Sequence, residues 1–183
     1  MKYNPDIHHH KSIRIGKHDY TRSGIYFMTI CIQNRECVFC KIANGDAQVT
    51  QWGAIALNEW LAAPQHRSNV VLHEYVLMPN HFHGIVEIAK DKDFNSLDTA
   101  RRVPTNREEK FGAPVAGSVP TLMRAYKAAV TKRIRQNGGD AFQWQRGYYE
   151  HIIRDEKDYI RIAEYINNNP SNWKEDRFYD ERL

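Results

Sequence analysis

Residues 70–88, which read VVLHEYVLMPNHFHGIVEI, predict a β-hairpin. The runs on either side of Met78-Pro79-Asn80 are rich in β-branched and apolar side chains, which favour strands. Proline followed by asparagine is typical of a turn. We therefore expect two antiparallel strands, near residues 70–78 and 81–88, that are joined through this turn.

The second strand of the hairpin carries two histidines, His81 and His83. Because alternate side chains of a strand share a face, both imidazoles point the same way and Phe82 points to the other face. Their Cβ atoms are about 7 Å apart, which is twice the strand rise, and they can converge on one metal ion. A histidine pair leaves open positions on a metal, where chemistry can occur. The alternative is a pair of exposed strand histidines that bind nothing.

Residues 158–169 predict a helix that ends before Pro170. A buried stripe follows helical spacing and consists of Tyr159, Ile162, Ala163 and Ile166. At about 100° per residue, Tyr165 lies on the shoulder of this stripe, and Asn169 lies one turn further on the same side. A phenol and a carboxamide in these places could meet a metal ion from the side opposite the histidines. The alternative is a surface tyrosine that covers the edge of the core.

The remaining pattern predicts an α+β domain. We expect strands at 24–34 and 148–153, helices at 52–66 and 118–136, and a short tail after Trp173. Residues 90–117 are polar and interrupted by prolines, and they predict a long flexible loop. Together with the hairpin and the tyrosine helix, the order β, α, β, β, α, β, α indicates a single domain over residues 1–183, with helices packed on an antiparallel sheet.

Composition is that of an ordinary soluble globular protein, with 183 residues, of which 42% are hydrophobic and 26% charged. No apolar run reaches the length of a membrane helix, and no cleavable signal precedes residue 20, so we expect neither a membrane protein nor a secreted one. Three cysteines are an odd number, which argues against a disulfide framework and suits a reducing cytosol.

Positive charge is clustered in two places, although the net charge of +4 only permits nucleic-acid binding. One cluster precedes the first strand and includes Arg14 and Arg22. The other is a row on the helix at 118–136 and includes Arg124, Lys127 and Arg135. Such a row could contact the phosphates of a nucleic acid, or it could be an ordinary solvated helix face.

Two motifs together resemble a known family. Residues 77–83, LMPNHFH, and 165–170, YINNNP, look like the motifs of the single-tyrosine transposases of the His-hydrophobic-His nuclease superfamily, in particular the REP-associated tyrosine transposases. Residues 144–151, WQRGYYEH, and 24–30, GIYFMTI, resemble the same branch. The resemblance spans roughly residues 12–173.

The resemblance implies a ferredoxin-like fold and a role for each matching residue. His81 and His83 would bind Mg²⁺ or Mn²⁺, and Asn169 would be a third, polar ligand. Tyr165 would attack a phosphodiester of single-stranded DNA, form a 5′-phosphotyrosine bond and leave a free 3′-hydroxyl. Because this bond conserves the phosphodiester's energy, a second DNA end could reverse the reaction without ATP. Imidazole ligands suit Mn²⁺ better than Mg²⁺, which favours oxygen.

The segment 144–151 supplies further candidates. Arg146 could contact DNA, and either Tyr148 or Tyr149 could stack on unpaired bases, since the two point to opposite faces of a strand. Glu150 and His151 could orient the metal ligands.

The expected substrate is a single strand folded into a hairpin with an unpaired flank, because duplex geometry would keep a scissile phosphate from reaching both a strand-borne metal and a helix-borne phenol. Such a protein would act in the bacterial cytoplasm on nucleoid DNA, as a monomer or a homodimer. Two other functions remain open. One is a non-catalytic binder of single-stranded nucleic acid, and the other is a metal-dependent nuclease that uses water while Tyr165 only covers the site.

Overall fold

The computed structural model describes residues 23–89 and 117–179. In chain order the strands are β1 (Gly24–Cys31), β2 (Cys40–Ala43), β3 (Asp46–Val49), β4 (Val70–Leu77), β5 (His81–Ile88) and β6 (Tyr149–Ile153). The helices are α1 (Gln51–Leu61), α2 (Ala63–His66), α3 (Val119–Gln136) and α4 (Glu156–Asn168). Arg14, Arg22 and all but the last residue of the loop expected at 90–117 lie outside the described residues.

The main sheet contains β4, β5, β1 and β6 in that order, and each neighbouring pair is antiparallel. The predicted α+β fold, with helices packed on an antiparallel sheet, is therefore confirmed. The hairpin is also confirmed, since β4 and β5 pair directly through the turn at residues 78–80. None of the described helices combines the length and apolar character needed to cross a membrane.

The two faces of the sheet have different partners. One face carries Met28 and Phe82 into the larger core, where they pack with the buried sides of α1 and α3. The other face carries Phe27 and Ile85 against α4. The buried stripe predicted on α4 is confirmed, because this smaller core contains Tyr159, Ile162, Ala163 and Ile166. The histidines share this second face, because Thr29 pairs with His83 two residues after Phe27 pairs with Ile85.

The helix predicted at 52–66 is wrong as a single element. It is divided into α1 and α2, and Pro64 is in the first turn of α2. Proline lacks an N–H and clashes with the preceding turn, so it can begin a helix but cannot continue one. Thr50 caps the start of α1 by accepting a hydrogen bond from Gly53 N–H at 3.1 Å.

The hairpin of β2 and β3 was not predicted. Asn44 and Gly45 form its turn with positive φ angles of 55° and 84°. Asn-Gly is the preferred pair for such a turn, so the sequence did carry this signal. The first strand is also shorter than predicted, because β1 ends at Cys31 and a 3-10 turn follows at Gln33–Arg35.

Candidate active site

His81 and His83 lie at the start of β5, on the sheet face that α4 covers. Their ring centroids are 4.5 Å apart, and both residues are fully buried. Phe82 points to the opposite face, where its ring centroid lies 4.8 Å from that of Trp60. The alternation predicted for this strand is therefore confirmed, whereas the reading of the histidines as exposed is wrong.

His83 is held between a strand and a helix. Its Nδ1 atom lies 2.8 Å from Thr29 Oγ1 on β1, and its Nε2 atom lies 3.2 Å from the hydroxyl of Tyr165 on α4. The Phe27 ring stacks on the imidazole at a centroid distance of 5.3 Å. Such an outer partner on one ring nitrogen orients a histidine for metal binding through the other.

The side chain of Asn80 fixes the position of the proton on His81. Asn80 Nδ2 donates to the carbonyl oxygens of Arg35 and Phe178, at 3.2 and 2.9 Å, which orients the amide. Its Oδ1 atom lies 2.9 Å from His81 Nδ1 and can only accept, so the neutral imidazole carries its proton on Nδ1. The lone pair of His81 is therefore on Nε2, a buried atom with no hydrogen-bond partner among the described residues.

A carboxylate lies opposite this lone pair. Asp176 Oδ2 is 3.9 Å from His81 Nε2, and the two side chains are 4% and 0% exposed. A lone pair and a carboxylate oxygen repel each other unless a cation lies between them. The ligand atoms of His81, His83 and Asp176 all lie within 4.8 Å of one another. Two imidazoles and one carboxylate suit a divalent cation, so these residues fit the implied metal.

Burial lowers the pKa of both histidines. That of His83 falls to about 3, through desolvation and then the charge of Arg177. That of His81 lies well below its ordinary value, through desolvation and then the charges of His83 and Arg177. Both imidazoles are therefore neutral at physiological pH, which is the form that binds metal ions.

Tyr165 is the most accessible member of the site, with 42% of its surface exposed. Desolvation and the charge of Asp176 raise its pKa, while a hydrogen bond from Asn169 and the charge of Arg177 oppose that rise. The phenol is therefore protonated at neutral pH and must lose its proton to become a strong nucleophile. Asn169 is 3% exposed, and its contact is with Tyr165, while Asp176 completes the group with the histidines.

Asp176 was missed by the sequence analysis, which assigned the residues after Trp173 to a short tail. These residues include most of a 3-10 helix at Trp173–Glu175, and the segment after it packs onto the histidines, with Phe178 at a ring-centroid distance of 4.5 Å from His81. No periodicity marks this segment, and one aspartate carries no spacing signal, so only the folded chain shows that Asp176 lies beside the histidines.

The other candidates lie apart from the histidine pair. Glu150 pairs with Met28, so it faces the larger core on the opposite side of the sheet, and it cannot orient the histidines directly. His151 shares the face of the histidines, but its Nε2 atom lies 2.7 Å from Asp158 Oδ2 on α4. Arg146 is exposed just after Gln145, whose N–H donates to the Cys31 carbonyl at 2.9 Å.

The basic row on α3 lies on the side of the sheet away from the histidines. Arg124 is exposed. Lys127 Nζ donates to the carbonyl oxygens of Gln145 and Gly147, at 2.7 and 2.8 Å. Arg135 donates to the Phe142 carbonyl at 3.3 Å. Two of the three cations therefore bind the chain's own backbone.

Comparison with known proteins finds similarity to one uncharacterized protein and to transposases. No protein-family model matches it. An uncharacterized protein of Haemophilus influenzae is 42% identical over 179 residues, which cover 97% of both chains. A second protein of that organism, named "Putative REP-associated tyrosine transposase", is 25% identical over 157 residues, covering 84% of this chain and 74% of its own.

A solved structure of a REP-associated tyrosine transposase bound to a REP hairpin shares the fold. It is 19% identical to this chain, with a TM-score of 0.57, and the match covers 87% of this chain and 74% of the other.

Proposed function

We propose that the chain is a transposase related to the REP-associated tyrosine transposases, whose fold it shares, and that it cleaves and rejoins single-stranded DNA through Tyr165. The observation that carries this proposal is the approach of the Tyr165 hydroxyl to 3.2 Å from His83 Nε2, beside a group that fits a divalent cation. An exposed nucleophile thus lies beside a buried group that could hold an electrophilic metal ion.

The metal ligands in this proposal are His81, His83 and Asp176, with Mg²⁺ or Mn²⁺ as the ion. The candidate ligand Asn169 supports the nucleophile through its hydrogen bond to Tyr165, and its buried Oδ1 atom, which has no hydrogen-bond partner among the described residues, keeps it a candidate for a further ligand. The bound ion would polarise a non-bridging oxygen of the scissile phosphate.

The residues around the proposed metal site then have distinct chemical roles. Tyr165 attacks the phosphorus atom, the 3′-oxygen leaves, and a 5′-phosphotyrosine bond forms. The phenol loses its proton in this step and the departing 3′-oxygen gains one to become a hydroxyl, while the Asn169 amide and the Arg177 charge both favour the phenolate. Thr29 and Asn80 hold the two imidazoles in place. A 3′-hydroxyl of another DNA end reverses the reaction and completes strand transfer.

The preferred substrate in this proposal is a hairpin with an unpaired flank. The related transposase of known structure is bound to a REP hairpin. Tyr165 and the histidines lie on the same face of the sheet, and a scissile phosphate must contact both, which a flexible single strand permits more readily than a duplex.

Covalent capture tests the function. Wild-type protein incubated with hairpin DNA and Mn²⁺ is expected to give a protein–DNA adduct on a denaturing gel. Tyr165→Phe should give no adduct and retain DNA binding, because only one hydroxyl is lost. Tyr75→Phe is the matched control, since Tyr75 is similarly exposed, at 37%.

The same experiment separates the competing functions. Cleavage without an adduct would indicate a nuclease that uses water. Binding with neither cleavage nor adduct would indicate a non-catalytic binder. Adduct formation by the Phe variant would reject Tyr165 as the nucleophile.

A further inference from the structure

A cation and two aromatic rings form the rim of the site beside β6. The Arg177 guanidinium lies over the Phe178 ring, 4.5 Å from its centroid, and 5.8 Å from the centroid of Tyr149. Tyr149 is 41% exposed. The charge of Arg177 favours the Tyr165 phenolate, whereas the rings of Tyr149 and Phe178 have no part in the chemistry described above.

Tyr149 lies close to the reacting groups. It pairs with Thr29 across β6 and β1, and Thr29 pairs with His83 on the other side. The Phe27 ring separates the two exposed tyrosines, with centroid distances of 6.3 Å to Tyr149 and 6.2 Å to Tyr165. A nucleotide with its phosphate at Tyr165 therefore has the Tyr149 ring within reach of its base.

Packing accounts for only part of Tyr149, since its ring meets Phe27 edge-on while 41% of the residue stays exposed. Its neighbour Tyr148 points to the opposite face and packs against the larger core. Large exposed aromatic rings beside a cation are the usual platform for unpaired bases, because every base has a face that can stack.

Arg177 supplies a suitable charge for the phosphate of the same nucleotide. A guanidinium that lies over a ring keeps its N–H donors at its edge, where they can bind phosphate oxygens. A positive group at this position complements the anionic backbone of DNA.

We propose that Tyr149 and Arg177 form a subsite for one unpaired nucleotide beside the scissile phosphate. The base stacks on the Tyr149 ring, and the guanidinium of Arg177 donates to the phosphate of that nucleotide. This inference rests on the proposed function, and it assigns the contact that selects an unpaired flank, because a paired base cannot stack on a side chain in this way.

Abasic substitution tests the stacking contact. Binding of hairpin oligonucleotides is measured by fluorescence anisotropy in the Tyr165→Phe background, where no turnover occurs, with one abasic site moved through every position of the unpaired flank. Tyr149→Ala should weaken binding of the intact oligonucleotide about 5- to 150-fold, the range for one stacked base. When the abasic site removes the base that stacks on Tyr149, Tyr149→Ala should not weaken binding further.

Matched variants separate this contact from loss of structure. Tyr149→Phe keeps the ring and should bind like the parent protein, and Tyr75→Ala removes an exposed tyrosine of β4 and should have no effect. Equal losses with Tyr149→Ala at every abasic position, or no loss with the intact oligonucleotide, would overturn the stacking contact.

Neutral methylphosphonate linkages test Arg177 in the same way. Arg177→Gln should weaken binding of the native oligonucleotide but not of the one whose neutral linkage lies at the Arg177 position. Arg154→Gln, at an exposed arginine just after β6, is the control. A loss with Arg177→Gln that is the same for every linkage would show a general charge effect and reject the subsite. A wild-type protein that forms no adduct would reject the proposed function, whereas an adduct without these position-specific effects would reject only the subsite.

Discussion

Single amide and hydroxyl groups determine what the two histidines can do. Asn80 Oδ1 requires a proton on His81 Nδ1, and Thr29 occupies Nδ1 of His83. Both rings therefore present Nε2 to the site. The cost of protonating two buried imidazoles appears in their lowered pKa values, and it makes the stability of the metal-free protein depend on pH.

The first residue-scale prediction follows from that cost. In the unfolded chain each histidine takes up a proton below its ordinary pKa of 6.5, while the folded site resists protonation down to about 3 at His83. Stability is therefore fully present above pH 6.5 and is lost as the pH falls, by up to about 1.4 kcal/mol per pH unit for each histidine. Urea unfolding in EDTA at pH 5.0 and 7.0 measures this loss.

The control for this pH dependence is a pair of variants. His83→Gln should reduce the pH dependence of the unfolding free energy, while His66→Gln, at an exposed histidine of α2, should keep the wild-type profile. An undiminished pH dependence in His83→Gln would contradict the burial argument.

The second residue-scale prediction concerns the metal. His81→Ala, His83→Ala and Asp176→Asn should each lower Mn²⁺ affinity at least about 10- to 100-fold, since even residues that only orient ligands have effects of that size. Isothermal titration calorimetry measures this directly. His151→Ala should bind Mn²⁺ normally, because that imidazole pairs with Asp158. Unchanged binding in Asp176→Asn, with a loss in Asn169→Ala, would return the third ligand to Asn169.

At the scale of elements, the position of α4 determines where the nucleophile lies. Its apolar stripe packs on the sheet, but apolar contacts alone do not fix the rotation of a helix. Polar contacts hold its first turns on both sides. Asp158 pairs with His151 on β6, and the Tyr159 hydroxyl donates to Glu74 Oε2 on β4 at 2.5 Å and lies 3.1 Å from His73 Nδ1.

The element-scale prediction is that Tyr159→Phe loosens α4. The lost hydroxyl should lower the free energy of unfolding by about 0.5–1.5 kcal/mol, the net worth of a hydrogen bond. The rate of adduct formation should fall while DNA affinity is retained, because the helix that carries Tyr165 is less well fixed. Stopped-time gels and urea unfolding measure the two effects. Glu164→Gln, on the exposed side of the same helix, should change neither, and an equal loss there would argue against the polar contacts.

At the scale of the whole molecule, the basic residues divide into structural and accessible groups. Lys127 has a pKa lowered to about 8 by desolvation, and it holds the segment that leads into β6 through two carbonyls. Arg124 on the same helix is exposed. The sequence shows one basic row on α3, but in the structure Lys127 binds backbone carbonyls whereas Arg124 is exposed.

The molecule-scale prediction separates these two groups. Lys127→Gln should lower the free energy of unfolding by about 1.5–3 kcal/mol, as expected for a lost charged hydrogen bond. Arg124→Gln should leave stability within about 0.5 kcal/mol and reduce the log–log salt slope of DNA binding by about 0.7–0.9, the value for one phosphate contact. Thermal unfolding and salt-dependent anisotropy measure these effects. An unchanged salt slope in Arg124→Gln would remove this part of α3 from the DNA interface.

The sequence by itself determined the features that depend on local periodicity. Alternation in a strand placed His81 and His83 on one face and Phe82 on the other, and helical spacing placed the buried stripe of α4. The turn at residues 78–80 and the end of α4 before Pro170 also follow from local backbone chemistry. The Asn44-Gly45 pair is an equally clear turn signal, but the hairpin of β2 and β3 was not predicted from it.

Only the tertiary structure decided which distant groups meet. The approach of Asp176 to His81, the stacking of Arg177 near Tyr149, and the binding of Lys127 to backbone carbonyls join residues that no repeat or spacing connects. Such contacts depend on how the strands are ordered and where the chain returns after α4. A local pattern records which face a side chain takes, whereas the partner on that face is set by the packing of the whole chain.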